Sequence, residues 1–148
     1  MKAFGILLML YVGAYQATIA QDVMGVWQMN SPDNGQPLYA VKLYKNKSGT
    51  IFGRVIKALD PAHKDDVCEK CPEKFNGFGV KNQKIVGMLI MRDLKKEGQR
   101  YTGGRLYSPK RGMKIRCYIQ LVESNKLKIR GFMGSRYLGR TMYWTRIE

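Results

Sequence analysis

The chain has 148 residues, with 26 lysines and arginines against 11 acids and one histidine, for a formal charge of +15. That length supports one domain and one hydrophobic core, not two. The basic excess attracts polyanions such as nucleic acid, anionic lipid headgroups or acidic polysaccharide, while a lone histidine leaves little for nucleophile–base chemistry, so an enzyme is not expected.

The first twenty residues read as a cleavable signal peptide. Lys2 supplies a positive start, and Ala3 to Tyr15 form an apolar stretch with Ile6, Leu7, Leu8, Leu10 and Val12. Thr18 and Ala20 place small residues at the cleavage positions, with Gln21 as the new N-terminus. The apolar run is too short for a stable transmembrane helix, and nothing later approaches one. The expected organisation is a leader at 1–20 and a single domain at 21–148, exported to the periplasm or secreted, with a mature charge of +14.

Period-two alternation dominates the mature chain. Eight strands are predicted, at about 23–30, 38–45, 50–58, 86–94, 100–107, 113–122, 126–133 and 138–147. Tyr39, Val41 and Leu43 alternate with Lys42 and Tyr44, and Asn46 to Gly49 turns the chain into the third strand. The clearest run is Met113, Ile115, Cys117, Ile119 and Leu121, interleaved with Lys114, Arg116, Tyr118 and Gln120. That is a half-buried strand with one apolar and one polar face. Leu127 and Ile129 repeat the pattern after a turn at Glu123, Ser124 and Asn125.

Residues 59–84 break the rhythm as one long connection. It holds Pro61, His63, Cys68, Cys71, Pro72 and a glycine-rich Phe75-to-Gly79 segment. A connection of that length inside a small domain is usually functional or a lid. Eight short antiparallel strands are best satisfied by an all-β, closed or nearly closed barrel, because closure removes exposed edges. A two-sheet sandwich is the alternative. A membrane-spanning barrel is rejected, because Lys114, Arg116, Lys128 and Arg130 would face lipid.

Cys68 and Cys71 have the spacing of a small disulfide loop in an oxidising compartment, and Cys117 is left single. A bond from Cys117 to either of the others stays open. A redox role for the pair is the lesser reading, since no thioredoxin-like βαβ setting surrounds it. Asp60, His63, Asp65, Asp66 and the two cysteines include donors for zinc, but their spacing fits no familiar finger, and no metal or other cofactor is expected.

Gly25 and Trp27 on the first strand resemble the opening signature of lipocalins and related calycins. The block Gly103 to Pro109, with Gly112, Leu127 to Gly134, and Leu138 to Arg146, resembles an exported bacterial family known as domain of unknown function twenty-one forty-seven. The resemblance covers essentially the whole mature chain. It implies an eight-stranded lipocalin-like (calycin-like) barrel and brings no established reaction or ligand. In lipocalins the first-strand Trp closes one end of the barrel under an Arg from a late strand. By that resemblance Trp27 pairs with Arg140 or Arg146 as a structural plug.

Two binding surfaces are expected. The first is the barrel interior, lined by Tyr39, Val41, Leu43, Ile51, Val55, Met88, Ile90, Met113, Ile115, Ile119, Leu127 and Ile129. There a small, largely apolar and even acidic ligand would be held, with Arg105 or Tyr107 on its polar head and the long connection over the mouth. An eight-stranded barrel is just wide enough to hold one small ligand or to fill itself, so the same residues also read as a solid core. The second is the outer face of one hairpin, Lys114, Arg116, Tyr118, Lys128 and Arg130, with Phe132 as a further candidate beside them, where cations interleaved with aromatics suit a polyanion. Oligomeric state is not legible.

Overall fold

A computed structural model describes Gly13 and residues 22–148, so the leader expected at 1–20 and its cleavage site lie, Gly13 apart, outside the described residues. Eight strands run in order: β1 (Gly25–Asn30), β2 (Pro37–Lys45), β3 (Ile51–Ala58), β4 (Leu89–Glu97), β5 (Arg100–Ser108), β6 (Met113–Glu123), β7 (Lys126–Phe132) and β8 (Gly139–Arg146). Each pairs antiparallel with the next, and β8 returns to β1, closing the barrel. The alternation in β6 and β7 explains the register. Ile119 sits opposite Ile129 and Leu121 opposite Leu127, so both apolar rows point inward together.

The seam between β1 and β8 is short, with only Trp27–Arg146 and Gln28–Thr145 in register. Side chains reinforce it. The Arg146 guanidinium lies 4.3 Å from the centre of the Trp27 ring. Its nitrogens donate to the carbonyls of Ser124, Met24 and Asp22 at 2.9, 2.8 and 2.6 Å. Trp27 is fully buried and its indole N–H donates to the Val23 carbonyl at 2.8 Å. Gly25 has φ +132°, and a Cβ there would run into the Glu148 carbonyl and the Arg146 guanidinium. The Gly-x-Trp pair is therefore one device, in which the glycine admits the arginine that covers the tryptophan. Arg140 does not take this role. It is exposed at the other end of β8, opposite Gly131.

The interior is filled. Val41, Val55, Met91, Leu94, Ile119, Leu127 and Ile129 expose nothing, and Leu43, Ile51 and Trp144 almost nothing. A water-sized void beside any of these side chains would leave accessible surface on it, so the middle of the barrel is packed core.

Irregularities in β4 and β5 reset the alternation. In β5 the register shifts between Tyr101 and Gly104, with Gly103 at φ +74°. Tyr101 packs against the core, as does Leu106, whereas Arg105 and Tyr107 face outward. In β4, Asp93 adopts φ +66°, so Met91 and Leu94, three residues apart, both join the core. The strand starts at Leu89 rather than 86, because Gly87 at φ +100° and Met88 finish the long connection.

That connection does two things. Asp60 caps a single 3-10 turn, Pro61–His63, by accepting from the Ala62 N–H. Ile85 and Val86 pack on the barrel core, and the Tyr39 hydroxyl donates to Asp66 at 3.3 Å, so this part lies against the β2 end of the barrel mouth. The remainder is laid over the outer wall, where Cys68, Cys71, Phe78, Met88 and Tyr107 form a second, smaller core with Leu89 against it.

Arg146→Ala is expected to lower the unfolding free energy by about 2 kcal/mol, through loss of the stack and of hydrogen bonds from a charged donor. Arg140→Ala should change it by less than about 0.5 kcal/mol, as an exposed site does. Urea titration of the two variants against wild type checks both.

Candidate functional site

Of the residues expected to line a ligand cavity, Tyr39, Val41, Leu43, Ile51, Val55, Ile90, Ile119, Leu127 and Ile129 lie in the barrel core, with Ile115 half-buried beside them. They pack on one another. Four others leave the interior. Met113, at the first position of β6, is exposed at the rim. Met88 turns outward beneath the long connection because the strand begins one residue later. Arg105 and Tyr107 face outward because the Gly103 bulge inverts the second half of β5. Tyr107 is buried there, stacked on Phe78 with ring centres 5.3 Å apart, so it braces the loop.

The bulge builds something else. Arg92 on β4 sits opposite Arg105 on β5, Arg105 opposite Arg116 on β6, and Arg116 opposite Phe132 on β7. Three guanidinium groups thus lie in a row across the outer wall. Arg92 is neutralised by Asp93 at 3.0 Å and donates to the Gly77 carbonyl at 2.6 Å. Among the described residues neither Arg105 nor Arg116 has an acidic partner within ion-pair distance. Like charges directly opposite across a strand pair are destabilising, so this pair carries a cost that an anion would relieve.

Beside the pair lies a groove of about 290 Å³, lined by Arg105, Lys114, Ile115, Arg116, Phe132, Met133 and Gly134. Lys114 is held by the Asn76 carbonyl at 3.4 Å. Three cations therefore ring a floor of apolar side chains, with no acid in the lining. A larger recess of about 450 Å³, lined by Ser48, Thr50, Asp93, Lys95 and Gly103, holds a single cation and has no large apolar side chain in its lining. The smaller groove is the more directed of the two. Phe132 falls on the expected outer face of the hairpin, but Met133 and Gly134 are not among the residues that alternation singles out. Their placement depends on strand pairing and on the turn after β7, neither of which a period along one strand reports.

The outer basic face exists, but its aromatic is covered. Tyr118 is buried under Arg100, Lys128 and Arg136, whose charged groups lie 4.7, 5.9 and 5.8 Å from the ring centre. It anchors the cations by cation–π contact and offers no free face on which a base could stack. Arg130 is likewise engaged, donating to the Thr141 hydroxyl and to the Arg136 and Tyr137 carbonyls.

Cys68 and Cys71 form a disulfide, and Cys117 is a free thiol buried inside the barrel. Both sulfurs of the pair are bonded to each other, which removes them from the metal set drawn around His63, whose ring instead faces Asp66 at 2.6 Å and Asp60 at 3.8 Å. The disulfide is buried under Phe78 and Tyr107, away from any exchanging thiol, and braces the loop against the wall. Burial pushes the Cys117 thiol up to about 12, against a smaller opposing effect of Arg105. Burial, and then Asp66, likewise hold the Tyr39 hydroxyl protonated well above its usual range.

A closed eight-stranded antiparallel barrel, sealed at one end by tryptophan and arginine, is a lipocalin-like fold. It is similar to protein HP1028 from the human pathogen Helicobacter pylori, which belongs to the lipocalin family; the TM-score is 0.72 at 18% identity, covering 86% of this chain and 84% of that one. The chain itself belongs to the bacterial family described as uncharacterized protein conserved in bacteria (DUF2147), matched over residues 25–146. No curated protein matches it.

Cys117 provides a check on the packed interior. The native protein should take up no alkylating reagent at pH 8, and one equivalent per chain after unfolding without reductant. Unfolded, the thiol ionises near 9, whereas folded it keeps its proton to about 12, so stability should fall as pH rises through that window. Cys117→Ala should reduce that slope, leaving the part that Tyr39 contributes toward pH 10, read as urea midpoints between pH 8.5 and 10.5.

Proposed function

We propose that this protein binds a small amphipathic anion, a carboxylate with a short apolar tail, in the groove on the outer wall between β5, β6 and β7. The supporting observation is the unneutralised Arg105–Arg116 pair beside an apolar floor. Two guanidinium groups offer forked donors matched to a carboxylate, while Phe132 and Met133 cover the tail. The ligand expected inside the barrel is placed outside on this reading, because the interior side chains already fill the space. Its chemistry, apolar with an acidic head, is unchanged. With its leader removed the domain works outside the cytoplasm as a carrier or sensor, with no catalytic step.

Calorimetry with octanoate and 1-octanol tests the proposal. Octanoate should bind at least tenfold more tightly than the alcohol, since a hydrogen bond to a charged group contributes about 1.5–3 kcal/mol. Arg105→Ala/Arg116→Ala should weaken octanoate at least tenfold. Lengthening the acid to decanoate should strengthen binding by up to about 1.6 kcal/mol if both added methylenes are covered. Equal affinity for acid and alcohol, or indifference to the double substitution, would sink the reading. Arg116→Gln should leave the free protein as stable or slightly more so, by a few tenths of a kcal/mol, because a like-charge pair is removed.

A further inference from the structure

The turn joining β7 to β8 is short, braced and apolar at its tip. Tyr137 is 91% exposed, Leu138 70% and Met133 58%. A loose loop would account for such exposure, but this turn is held from several sides. The Met133 N–H donates to the Leu138 carbonyl at 3.1 Å, and the Leu138 N–H to the Ser135 carbonyl at 3.0 Å. Arg130 reaches from β7 to the Arg136 carbonyl at 3.0 Å and the Tyr137 carbonyl at 3.4 Å. The backbone is tied down while the large apolar side chains are presented to water. Phe75 is also 64% exposed, next to Asn76, whose carbonyl holds Lys114 of the groove lining.

Charge supplies the second observation. From Gly98 to Ile147, which spans β5 to β8, the chain carries twelve lysines and arginines and a single acid, Glu123. The preceding stretch, 22–97, is nearly balanced, with thirteen cations and nine acids. The cationic half of the barrel is thus the half that bears the apolar tip, with Arg136 within the turn and Arg140 just beyond it.

From this conjunction we infer that the β7–β8 turn is a docking element for an anionic bilayer surface, with Tyr137 and Leu138 inserting at headgroup depth and the β5–β8 wall held by the lipid charge. Tyrosine suits that depth because its ring is apolar and its hydroxyl stays wet. Cations on the flanking strands are attracted to anionic headgroups within a Debye length, whereas the apolar tip adds a contact that salt does not screen. A soluble polyanion would use the cations and leave Tyr137 and Leu138 idle. Docking does not require the carboxylate groove to be occupied, although the two share Met133 and Gly134.

Vesicle co-sedimentation of residues 21–148 tests the inference, using phosphatidylcholine alone and phosphatidylcholine with 30% phosphatidylglycerol. Wild type should bind the mixed vesicles at least tenfold more tightly than the neutral ones. Tyr137→Ser/Leu138→Ser keeps every charge and every backbone contact of the turn, and should reduce binding at least fivefold with an unchanged thermal midpoint. Tyr137→Trp, read against the two buried native tryptophans, should show a blue-shifted emission on adding mixed vesicles. Failure of wild type to bind would overturn the inference. Binding by the double-serine variant equal to wild type, or an unshifted emission from the Tyr137→Trp variant, would also overturn it and assign the basic wall to soluble polyanions. Arg105→Ala/Arg116→Ala measured with octanoate reports on the groove alone, so the two readings can fail separately.

Discussion

Everything in this molecule depends on closing a small barrel around a full core. Eight strands give an interior only wide enough for side chains or for one small ligand. Here two tryptophans, Trp27 and Trp144, and a row of leucines, isoleucines and methionines occupy it. The seam has just two residue pairs in register. Backbone hydrogen bonds between Val26 and Ile147 and Glu148 extend it, and the stack of Arg146 on Trp27, with its bonds to the Met24 and Asp22 carbonyls, reinforces it. Gly25 makes room for that arginine. The glycine and tryptophan of the first strand are therefore structural.

A packed barrel has to make its contacts on the outside, and the bulges decide which residues arrive there. Without the extra residue at Gly103, Arg105 and Tyr107 would face the core. With it, Tyr107 becomes part of a second core that fastens the long connection, and Arg105 lines up beside Arg116. The disulfide between Cys68 and Cys71 belongs to the same fastening. Its burial under two aromatic rings explains why a pair with redox spacing serves as a brace.

The outer wall then divides by charge. β5 to β8 carry nearly all their ionisable groups as cations, which crowd one another across the strands. Some of the repulsion is relieved locally: Arg100, Lys128 and Arg136 sit over Tyr118, and Arg130 is engaged by the turn after β7. Arg105 donates to the neighbouring Gly104 carbonyl at 3.3 Å, but among the described residues neither it nor Arg116 has an acidic partner. A groove with an apolar floor begins where they meet, and a braced apolar turn borders it. An amphipathic acid and an anionic bilayer present the same chemistry at two scales, a negative head over an apolar body, which is why one half of the barrel suits both.

Much of this fold is legible in the chain alone. Strict alternation over Met113–Leu121 and Leu127–Ile129 determined two strands and which of their faces is apolar, because a half-buried strand must repeat every two residues. Eight such segments with short turns determined a closed sheet, and the resemblance at Gly25 and Trp27 named the plug, though not which arginine covers it. Tertiary structure alone chose Arg146 over Arg140, since that depends on which end of β8 meets β1. It alone left Met88 in the long connection, by starting β4 at Leu89. It alone moved Arg105 and Tyr107 outside and brought Met91 and Leu94 in, because a bulge adds one residue without changing composition and turns the later side chains over. The groove was beyond the sequence for the same reason. Arg105, Arg116 and Phe132 are neighbours only across three strands, and a period along one strand carries no record of what lies beside it.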